Sequence, residues 1–498
     1  MKKFYEILPA SLTWLVFILM ILASWKIPQY AAIFIILFDI YWLLKTFFLS
    51  LHLRVGFKKM RENLKINWQE KLQIEFKNDW LNIYHLVIFP MYNEPLEVVK
   101  ESFESLEKSN YPKDKLIVVL AQEERAITNN PSVAQTAIEI KRQFGDIFHK
   151  LLVTIHPANL EGEIPGKGSN ETWAAKEAVA KIIEAEKIDK LKVIVSVFDI
   201  DSKAPENYFS RLTYVYLSTP DRNQVIYQPI PLFINNIYQA PALARVVSLS
   251  STFWQTMQQA RPERLTTFSS QSIPLKVLLD VNYWDRDIVS EDSRIFWQCY
   301  LKYNGNFSVI PLYFPIMMDA NAAPTFWKTM VNLYKQQRRW AWGSENIPYL
   351  LEGFQKNKLI PLRKKIYWAF NVIEGFNSWA TNAILIFAMG WLPIILGGDK
   401  FHYTLLSYSF PGVTKLLMTL ASIGIISSAI INIIILPPKP QWFKSYHYVW
   451  YVLQWFLMPI TLIVFGAIPA IEAQTRLALG GKFRLGFWVT PKTRSYKK

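Results

Sequence analysis

Two aspartates placed one residue apart follow an apolar run in the middle of the chain. Asp199-Ile200-Asp201 comes directly after residues 193–198, which are largely apolar, as in a buried strand. Carboxylate oxygens are the ligands that hard divalent cations prefer, and such cations often share them with phosphate groups. The pair alone is a weak signal, because Asp285 and Asp287 repeat the spacing with no strand before them. Helix capping or a surface ion pair would explain it equally well.

A second acidic pair and an aromatic-basic motif lie further along the chain. Glu291-Asp292 opens a helical pattern over residues 293–303, where the helix dipole favours a carboxylate in any case. Residues 336–340 contain Gln-x-x-Arg-Trp, which is expected only about 0.03 times by chance in a chain of this length. The guanidinium of Arg339 suits phosphate through paired hydrogen bonds, and the indole of Trp340 offers a sugar a stacking surface. An aromatic belt at a membrane interface is the alternative interpretation.

The elements that would position these residues alternate between strand and helix. Strand patterns cover residues 85–89, 116–121, 151–155 and 193–198, and helical patterns cover 98–106 and 170–186. Such alternation predicts an α/β fold with a mostly parallel sheet and helices on both faces. Ligands of such sheets bind beyond the carboxyl ends of the strands, which is where Asp199 and Asp201 are predicted to lie.

Long uncharged runs flank this region on both sides. The chain is 51% hydrophobic but only 19% charged, and about 20 apolar residues suffice to cross a bilayer. Its single cysteine, Cys299, excludes a disulfide framework and a thiolate metal cluster. Five segments are long enough to span, namely 8–25, 29–53, 375–396, 416–436 and 448–471. We therefore predict a multi-pass membrane protein with a large insert.

Basic residues set the expected orientation. Lys and Arg cluster at both ends of the insert, and short basic flanks stay on the cytoplasmic side. The predicted organisation is two spans in 1–53, a cytoplasmic domain in 54–365, interface and spanning helices in 366–473, and a basic tail of cytoplasmic type in 474–498. Two spans before the insert and three after it would place that tail on the side of the membrane opposite to the cytoplasm. This does not hold if 448–471 bends back at Pro459 or if 366–398 is more than one span. Both alternatives remain open.

The net charge of +16 would meet anionic headgroups beside the bilayer. Because no basic-aromatic recognition module is visible, nucleic acid is not an expected partner. The expected location is the plasma membrane.

These motifs, taken in order, resemble those of the membrane-bound family-2 glycosyltransferases, the group that contains cellulose, chitin and hyaluronan synthases. The resemblance covers about residues 80–345. Residues 89–94, Phe-Pro-Met-Tyr-Asn-Glu, resemble the nucleotide-binding opening of the family, and Gly166–Asn170 resembles its Gly-Lys-x-x-Asn segment. Ser290-Glu291-Asp292 stands where the family has Thr-Glu-Asp. The fold implied is the GT-A type of nucleotide-diphosphosugar transferase domain.

The resemblance also implies a role for each matching residue. Asp292 would be the catalytic base, and Asp199 and Asp201 would hold Mg²⁺ or Mn²⁺. The nucleotide-sugar donor would be bound by Pro90, Asn93, Glu94, Glu123, Lys167, Asp199 and Arg339. The acceptor would be bound by Gln336, Trp340 and Glu291.

Two segments depart from the family pattern. Gln122-Glu123-Glu124-Arg125 replaces Asp-Asp-Gly-Ser, which leaves the nucleobase open. Thr267–Ser272 lies where the synthases favour glycines, which leaves the acceptor open.

The function implied is inverting transfer of a sugar from a nucleotide diphosphate sugar, expected to be a UDP-sugar, to a growing polysaccharide. One alternative is the addition of a single sugar to a lipid or lipid-linked acceptor. A membrane transporter or a non-catalytic sugar-binding relative is the alternative of another class. The sugar, the number of spans and the oligomeric state stay open.

Overall fold

The computed structural model describes residues 2–492, apart from the side chains of 422, 423, 425–429 and 432. Residues 493–498, which end the predicted basic tail, lie outside the described residues. The strands are β1 (Tyr84–Pro90), β2 (Leu116–Glu123), β3 (Lys150–His156), β4 (Val193–Val197), β5 (Val225–Phe233), β6 (Ser272–Pro274) and β7 (Ser308–Met318).

The α-helices of the first half are α1 (Lys2–Lys26), α2 (Pro28–Leu64), α3 (Trp68–Glu75), α4 (Leu96–Glu107), α5 (Glu124–Asn129), α6 (Ser132–Phe144), α7 (Lys167–Ala178), α8 (Tyr208–Ser218) and α9 (Ala242–Gln259). Those of the second half are α10 (Leu275–Asp280), α11 (Glu291–Lys302), α12 (Phe326–Ala341), α13 (Asn346–Lys356), α14 (Leu362–Phe387), α15 (Leu392–Leu396), α16 (Gly398–His402), α17 (Leu405–Ile435), α18 (Tyr446–Leu453), α19 (Met458–Leu462) and α20 (Ile468–Leu479).

The strands form one mixed sheet in the order β3-β2-β1-β4-β6-β5-β7. β1, β2, β3 and β4 pair in parallel, as do β5 and β7, whereas β6 pairs antiparallel with both of its neighbours. The predicted α/β class and mostly parallel sheet are confirmed. The four predicted strands overlap β1, β2, β3 and β4, the last of which ends one residue earlier, and the helical patterns at 98–106, 170–186 and 293–303 overlap α4, α7 and α11. The second of these helices continues past α7 as a π-helical turn over Val179–Glu184.

Alternate residues of each strand build a separate core on each face of the sheet. In β1, Val87 and Phe89 pack with α4, α6 and α8, while Leu86 and Ile88 pack with α7, α11 and α13. This is the two-residue period of a strand covered on both faces. The sheet is therefore held rigidly between two helical layers, and the loops at the carboxyl ends of its strands are fixed by both.

Among the described residues, three helical segments are long and apolar enough to cross a membrane, namely α1, α2 and the interrupted run Tyr446–Leu479. The pair Leu362–Phe387 and Met389–Leu396 also passes this test together, but it bends by 50° between the two parts. α17 contains the predicted segment 416–436, and because some of its side chains lie outside the described residues, its status as a span stays a prediction. The predicted side of the C-terminal tail depends on whether 366–398 and 448–471 each cross the membrane once. Both stretches are interrupted, the first by this bend and the second by a 3₁₀ turn at Gln454–Leu457 before Pro459.

The apolar helices are joined to the α/β domain by direct polar contacts. On α20, Glu472 accepts hydrogen bonds from Tyr334 Oη (2.7 Å) and from Arg338 Nη1 (2.6 Å), both of α12. The buried Gln474 of α20 in turn accepts a 2.8 Å hydrogen bond from Thr13 of α1. α12, which carries the Gln-x-x-Arg-Trp motif, is thus anchored to the helices at the two ends of the chain.

Candidate active site

Asp199 and Asp201 lie beyond the carboxyl end of β4, as predicted. Asp201 is fully buried, and its Oδ2 accepts a 2.8 Å hydrogen bond from the backbone N–H of Asp319. Its Oδ1 finds no hydrogen-bond donor within residues 2–492. Asp199 Oδ2 accepts from the hydroxyl of Ser269, 2.9 Å away. An unsatisfied carboxylate oxygen beside a second carboxylate fits a divalent cation, which takes oxygen ligands.

Lys167 connects the aspartate pair to the predicted base. Its ammonium lies 3.0 Å from Asp199 Oδ1 and 2.8 Å and 3.0 Å from the two carboxylate oxygens of Asp292. Burial disfavours the charged amine, but the surrounding carboxylates, led by those of Asp199 and Asp292, outweigh it and raise the pKa of Lys167 well above its usual range. Burial likewise opposes ionisation of Asp199, yet Lys167 and Lys492 prevail and lower the pKa of Asp199 to about 2. Lys167 therefore stays positively charged at the centre of the site.

The beginning of α11 presents Asp292 at the rim of this cluster. The preceding residue, Glu291, is buried, whereas the Asp292 side chain keeps 21% of its exposure. Glu345 fixes this helix start: its Oε1 accepts from the backbone N–H (3.0 Å) and the hydroxyl (2.7 Å) of Ser290. Its Oε2 accepts from the indole N–H of Trp342 at 2.9 Å. The turn that follows α12 thereby sets the position of the carboxylate.

The three motif residues of α12 have different surroundings. Gln336 is buried and accepts a hydrogen bond from Asn321, at 3.4 Å. Arg339 lies 4.9 Å from the ring centre of Phe487, and its Nε has no hydrogen-bond partner in the described part of the chain. The Trp340 ring packs against Phe268 and Phe233, with ring centres 5.7 Å and 6.0 Å apart. Trp340 thus meets the segment 267–272, in which the sequence analysis placed the acceptor region.

The residues predicted to open the donor site lie at the end of β1. Pro90 ends that strand, and Glu94 Oε2 accepts from the backbone N–H groups of Tyr92 (2.8 Å) and Asn93 (3.1 Å), so the loop closes on itself. Burial raises the pKa of Glu94 to about 7. The Asn93 side chain accepts a 2.6 Å hydrogen bond from Asn130, which holds this loop against the start of α6.

A cavity of about 100 Å³ lies beyond the ends of β2 and β3. Glu123 and Arg125, which pair with each other, form part of its lining. His156 and Glu163, joined by a 2.9 Å contact, form another part. Its lining therefore includes Glu123, which the sequence analysis assigned to binding of the nucleotide-sugar donor.

The sequence analysis missed the contribution of the C-terminal segment. Lys492 Nζ lies 2.7 Å from Asp201 Oδ2, and Phe487 covers Gly166 so closely that a Cβ at Gly166 would lie 2.6 Å from the Phe487 ring. Only glycine admits that contact at the start of α7. The one available signal was an aromatic pair, Phe487-Trp488, within an otherwise basic tail.

Glu171 is the second residue that the sequence analysis missed. It lies one turn after Lys167 on α7 and is fully buried beside Glu291 and Asp292, and one carboxylate oxygen from each of the three lies within 4.8 Å of the others. Burial raises the pKa of Glu171 well above its usual range, and the neighbouring Glu291 adds to this effect while Lys167 opposes it. A glutamate in an Ala- and Glu-rich helix gives no sequence signal of such a position.

No protein-family model matches the chain, and no curated protein matches it either. Among solved structures, the chain is similar to a mannosyltransferase, PcManGT from Pyrobaculum calidifontis, in complex with GDP-Man and Mn²⁺, at 14% identity and a TM-score of 0.40, over 80% of this chain and 99% of that one. It is also similar to residues 1–349 of S. aureus TarS in complex with UDP-GlcNAc, at 12% identity and a TM-score of 0.36, over 81% and 93% of the two chains. Likeness at this level establishes neither a family nor an activity for the chain.

Proposed function

We propose that the chain is a membrane-embedded, inverting glycosyltransferase of the family-2 type with a GT-A domain, which transfers a sugar from a nucleotide diphosphate sugar, expected to be a UDP-sugar. One observation carries the proposal: the ammonium of Lys167 contacts both Asp199 and Asp292, within 3.0 Å of each. Three motifs that lie far apart in sequence therefore supply one site with carboxylates and an ammonium, which are groups that sugar transfer from a nucleotide diphosphate sugar can use.

The proton chemistry falls to Asp292. A sugar hydroxyl is a poor nucleophile, so a positioned carboxylate must take its proton as the new bond forms. The acceptor oxygen bonds to the anomeric carbon on the face opposite to the leaving group, the bond from that carbon to the diphosphate breaks, and the diphosphate keeps the electron pair. The proton ends on Asp292, which has retained enough exposure to meet an acceptor.

Positive charge for the leaving group would come from Lys167 and Arg339. The ammonium of Lys167 is held between Asp199 and Asp292, so it needs little rearrangement to stabilise charge that develops on the diphosphate. A divalent cation, Mg²⁺ or Mn²⁺, held by Asp199 and Asp201 would neutralise part of the same charge. Asn93, Glu94 and Glu123 would contact the nucleoside at the ends of β1 and β2.

For the acceptor we propose a growing polysaccharide, with Gln336 and Trp340 at its end. The packing of Trp340 against Phe268 and Phe233 supports this, because adjacent aromatic rings form a surface on which sugar rings stack. The anchoring of α12 to α20 brings that surface next to the apolar helices. We place the catalytic domain on the cytoplasmic side of the plasma membrane, as the basic flanks of the spans favour.

The test uses the purified full chain in lipid nanodiscs with a panel of UDP- and GDP-sugars and Mn²⁺. We expect nucleoside diphosphate release with one donor, and a product whose anomeric configuration is opposite to that of the donor. With limiting enzyme, polymer synthesis gives long chains while most acceptor is untouched, whereas a uniform one-sugar product at every enzyme concentration supports transfer to a lipid acceptor. No release with any donor in the panel would contradict the proposal.

A further inference from the structure

Two buried glutamates face the centre of the site without hydrogen-bond partners. Glu171 is fully buried and Glu291 is 1% exposed. None of their four carboxylate oxygens has a hydrogen-bond partner in the part of the chain that the structure describes. A buried charged carboxylate that is not paired is strongly destabilising, so groups in this position give up their charge.

The packing of α7 on α11 forces the two side chains together. At Gly168 a Cβ would lie 3.0 Å from both Glu291 Cβ and the backbone oxygen of Asp285, so the helices approach as closely as glycine permits. The glutamates are consequently sealed from water between the two helices. They face the ammonium of Lys167, which lies 3.8 Å from Glu291 Oε1.

The charges around Glu171 and Glu291 decide whether these two carboxyl groups are protonated. The charged and titratable groups that face the pair are Lys167 of α7, Asp199 after β4, Asp292 of α11 and Arg339 of α12. Lys167 is already paired with Asp199 and Asp292, so it cannot also balance two further negative charges. Burial and the neighbouring Asp292 raise the pKa of Glu291 to about 8.

From this geometry we propose that Glu171 and Glu291 are a pair of positioning residues that carry their protons in the working enzyme. Two further negative charges then do not offset the positive charge of Lys167 and Arg339, which stays available to the diphosphate of the donor. The inference rests on the proposed function. A divalent cation between the same carboxylates is disfavoured because the ammonium of Lys167 already lies beside them.

The sign of the pH dependence follows. Below about pH 8 the pair is uncharged, and a donor diphosphate meets Lys167 and Arg339 without two further negative charges beside them. As the pH rises through about 8, Glu291 loses its proton and places a negative charge beside Lys167, which opposes binding of the diphosphate. Glutamine at these positions keeps the shape without the charge.

The experiment measures the affinity for UDP and for GDP, each with Mn²⁺, between about pH 7 and pH 9.5 in nanodiscs. For the nucleotide that binds, we expect the wild type to lose about tenfold in affinity over this range, and E291Q, which lacks the group that titrates near pH 8, to lose less than about twofold. The matched control is E177Q, on the outer part of the same helix, where Glu177 pairs with Lys181. It should show the wild-type loss.

The pair is also tested without any nucleotide. Infrared spectra of the wild type at neutral pH should contain the C=O band of a protonated carboxyl group, which E171Q should reduce and E177Q should not. The inference is overturned if that band is unchanged in E171Q, if E291Q keeps the wild-type pH dependence, or if titration with Mn²⁺ alone shows one bound ion fewer in E171Q. Absence of binding by both nucleotides contradicts the proposed function instead, and the infrared result then decides the inference by itself.

Discussion

At the scale of single residues, Asp292 is the proposed base, and its removal should separate donor binding from chemistry. Asp292→Asn keeps the size of the side chain but removes the proposed base, and general bases contribute about 10²- to 10⁴-fold to such rates. We expect sugar transfer to fall by at least about a hundredfold while the affinity for the donor stays within a few fold. Steady-state turnover together with nucleotide-sugar binding checks this, and Asp285→Asn, which changes an aspartate outside the proposed site, is the control. Normal turnover in Asp292→Asn would remove this residue from the mechanism.

Asp201 supports a prediction about the metal. Its buried carboxylate has one oxygen without a donor, so a cation gains more at Asp201 than at a solvated aspartate. Chelation or Asp201→Ala should abolish activity, and Mg²⁺ or Mn²⁺ should restore only the chelated wild type. Calorimetry of nucleoside diphosphate binding with and without Mn²⁺ provides the independent measurement. Equal affinities in the wild type would contradict the metal site.

At the scale of elements, the site depends on the turn between α12 and α13. Glu345 in that turn accepts hydrogen bonds from Ser290 and Trp342, and a buried donor that loses its partner costs about 1–3 kcal/mol. We expect Glu345→Ala to lower kcat about tenfold, with little change in the KM for the donor, because the start of α11 moves while the donor site stays in place. Glu345→Gln should recover most of the rate, and Glu352→Ala on α13 is the matched control. Equal losses of kcat/KM in the glutamine and alanine variants would contradict this positioning role.

The strands could be predicted because buried parallel strands leave continuous apolar runs, and residues 116–121 and 193–198 are of this kind. The short β6, only Ser272–Pro274, has no such run, and it enters the sheet because β4 and β5 both have free edges there. Asp199, Asp201 and Asp292 could be identified from residue type and order. Glu171 could not, because its importance arises from the close approach of α7 to α11 at Gly168, which is a tertiary contact.

At the scale of the whole molecule, α1 contacts the end of α20, and the segment that follows α20 reaches the site. Lys3 on α1 donates a 2.6 Å hydrogen bond to the backbone oxygen of Ala478, at the end of α20. The chain then continues past Gly480, whose φ of 69° turns it out of the helix and back over the domain. The segment that follows reaches Asp201 through Lys492. The apolar helices therefore determine where the C-terminal segment lies, and that segment occupies the side of the site where the cation would bind.

Lys492 supplies the last prediction. Burial favours loss of its proton, but Asp201, Asp319 and Asp199 outweigh it and raise the pKa of Lys492, so its ammonium is charged and competes for Asp201 Oδ2. Removal of a competitor that holds the site about nine-tenths of the time raises the apparent affinity about tenfold. We therefore expect Lys492→Met to bind Mn²⁺ about tenfold more tightly than the wild type in calorimetry without nucleotide. Lys482→Met, which changes an exposed lysine earlier in the same segment, should leave the affinity unchanged. Because Asp201→Ala removes the shared ligand, the double variant Asp201→Ala with Lys492→Met should show no gain in Mn²⁺ affinity. An unchanged Mn²⁺ affinity in Lys492→Met alone would show that the ammonium and the cation do not exclude each other.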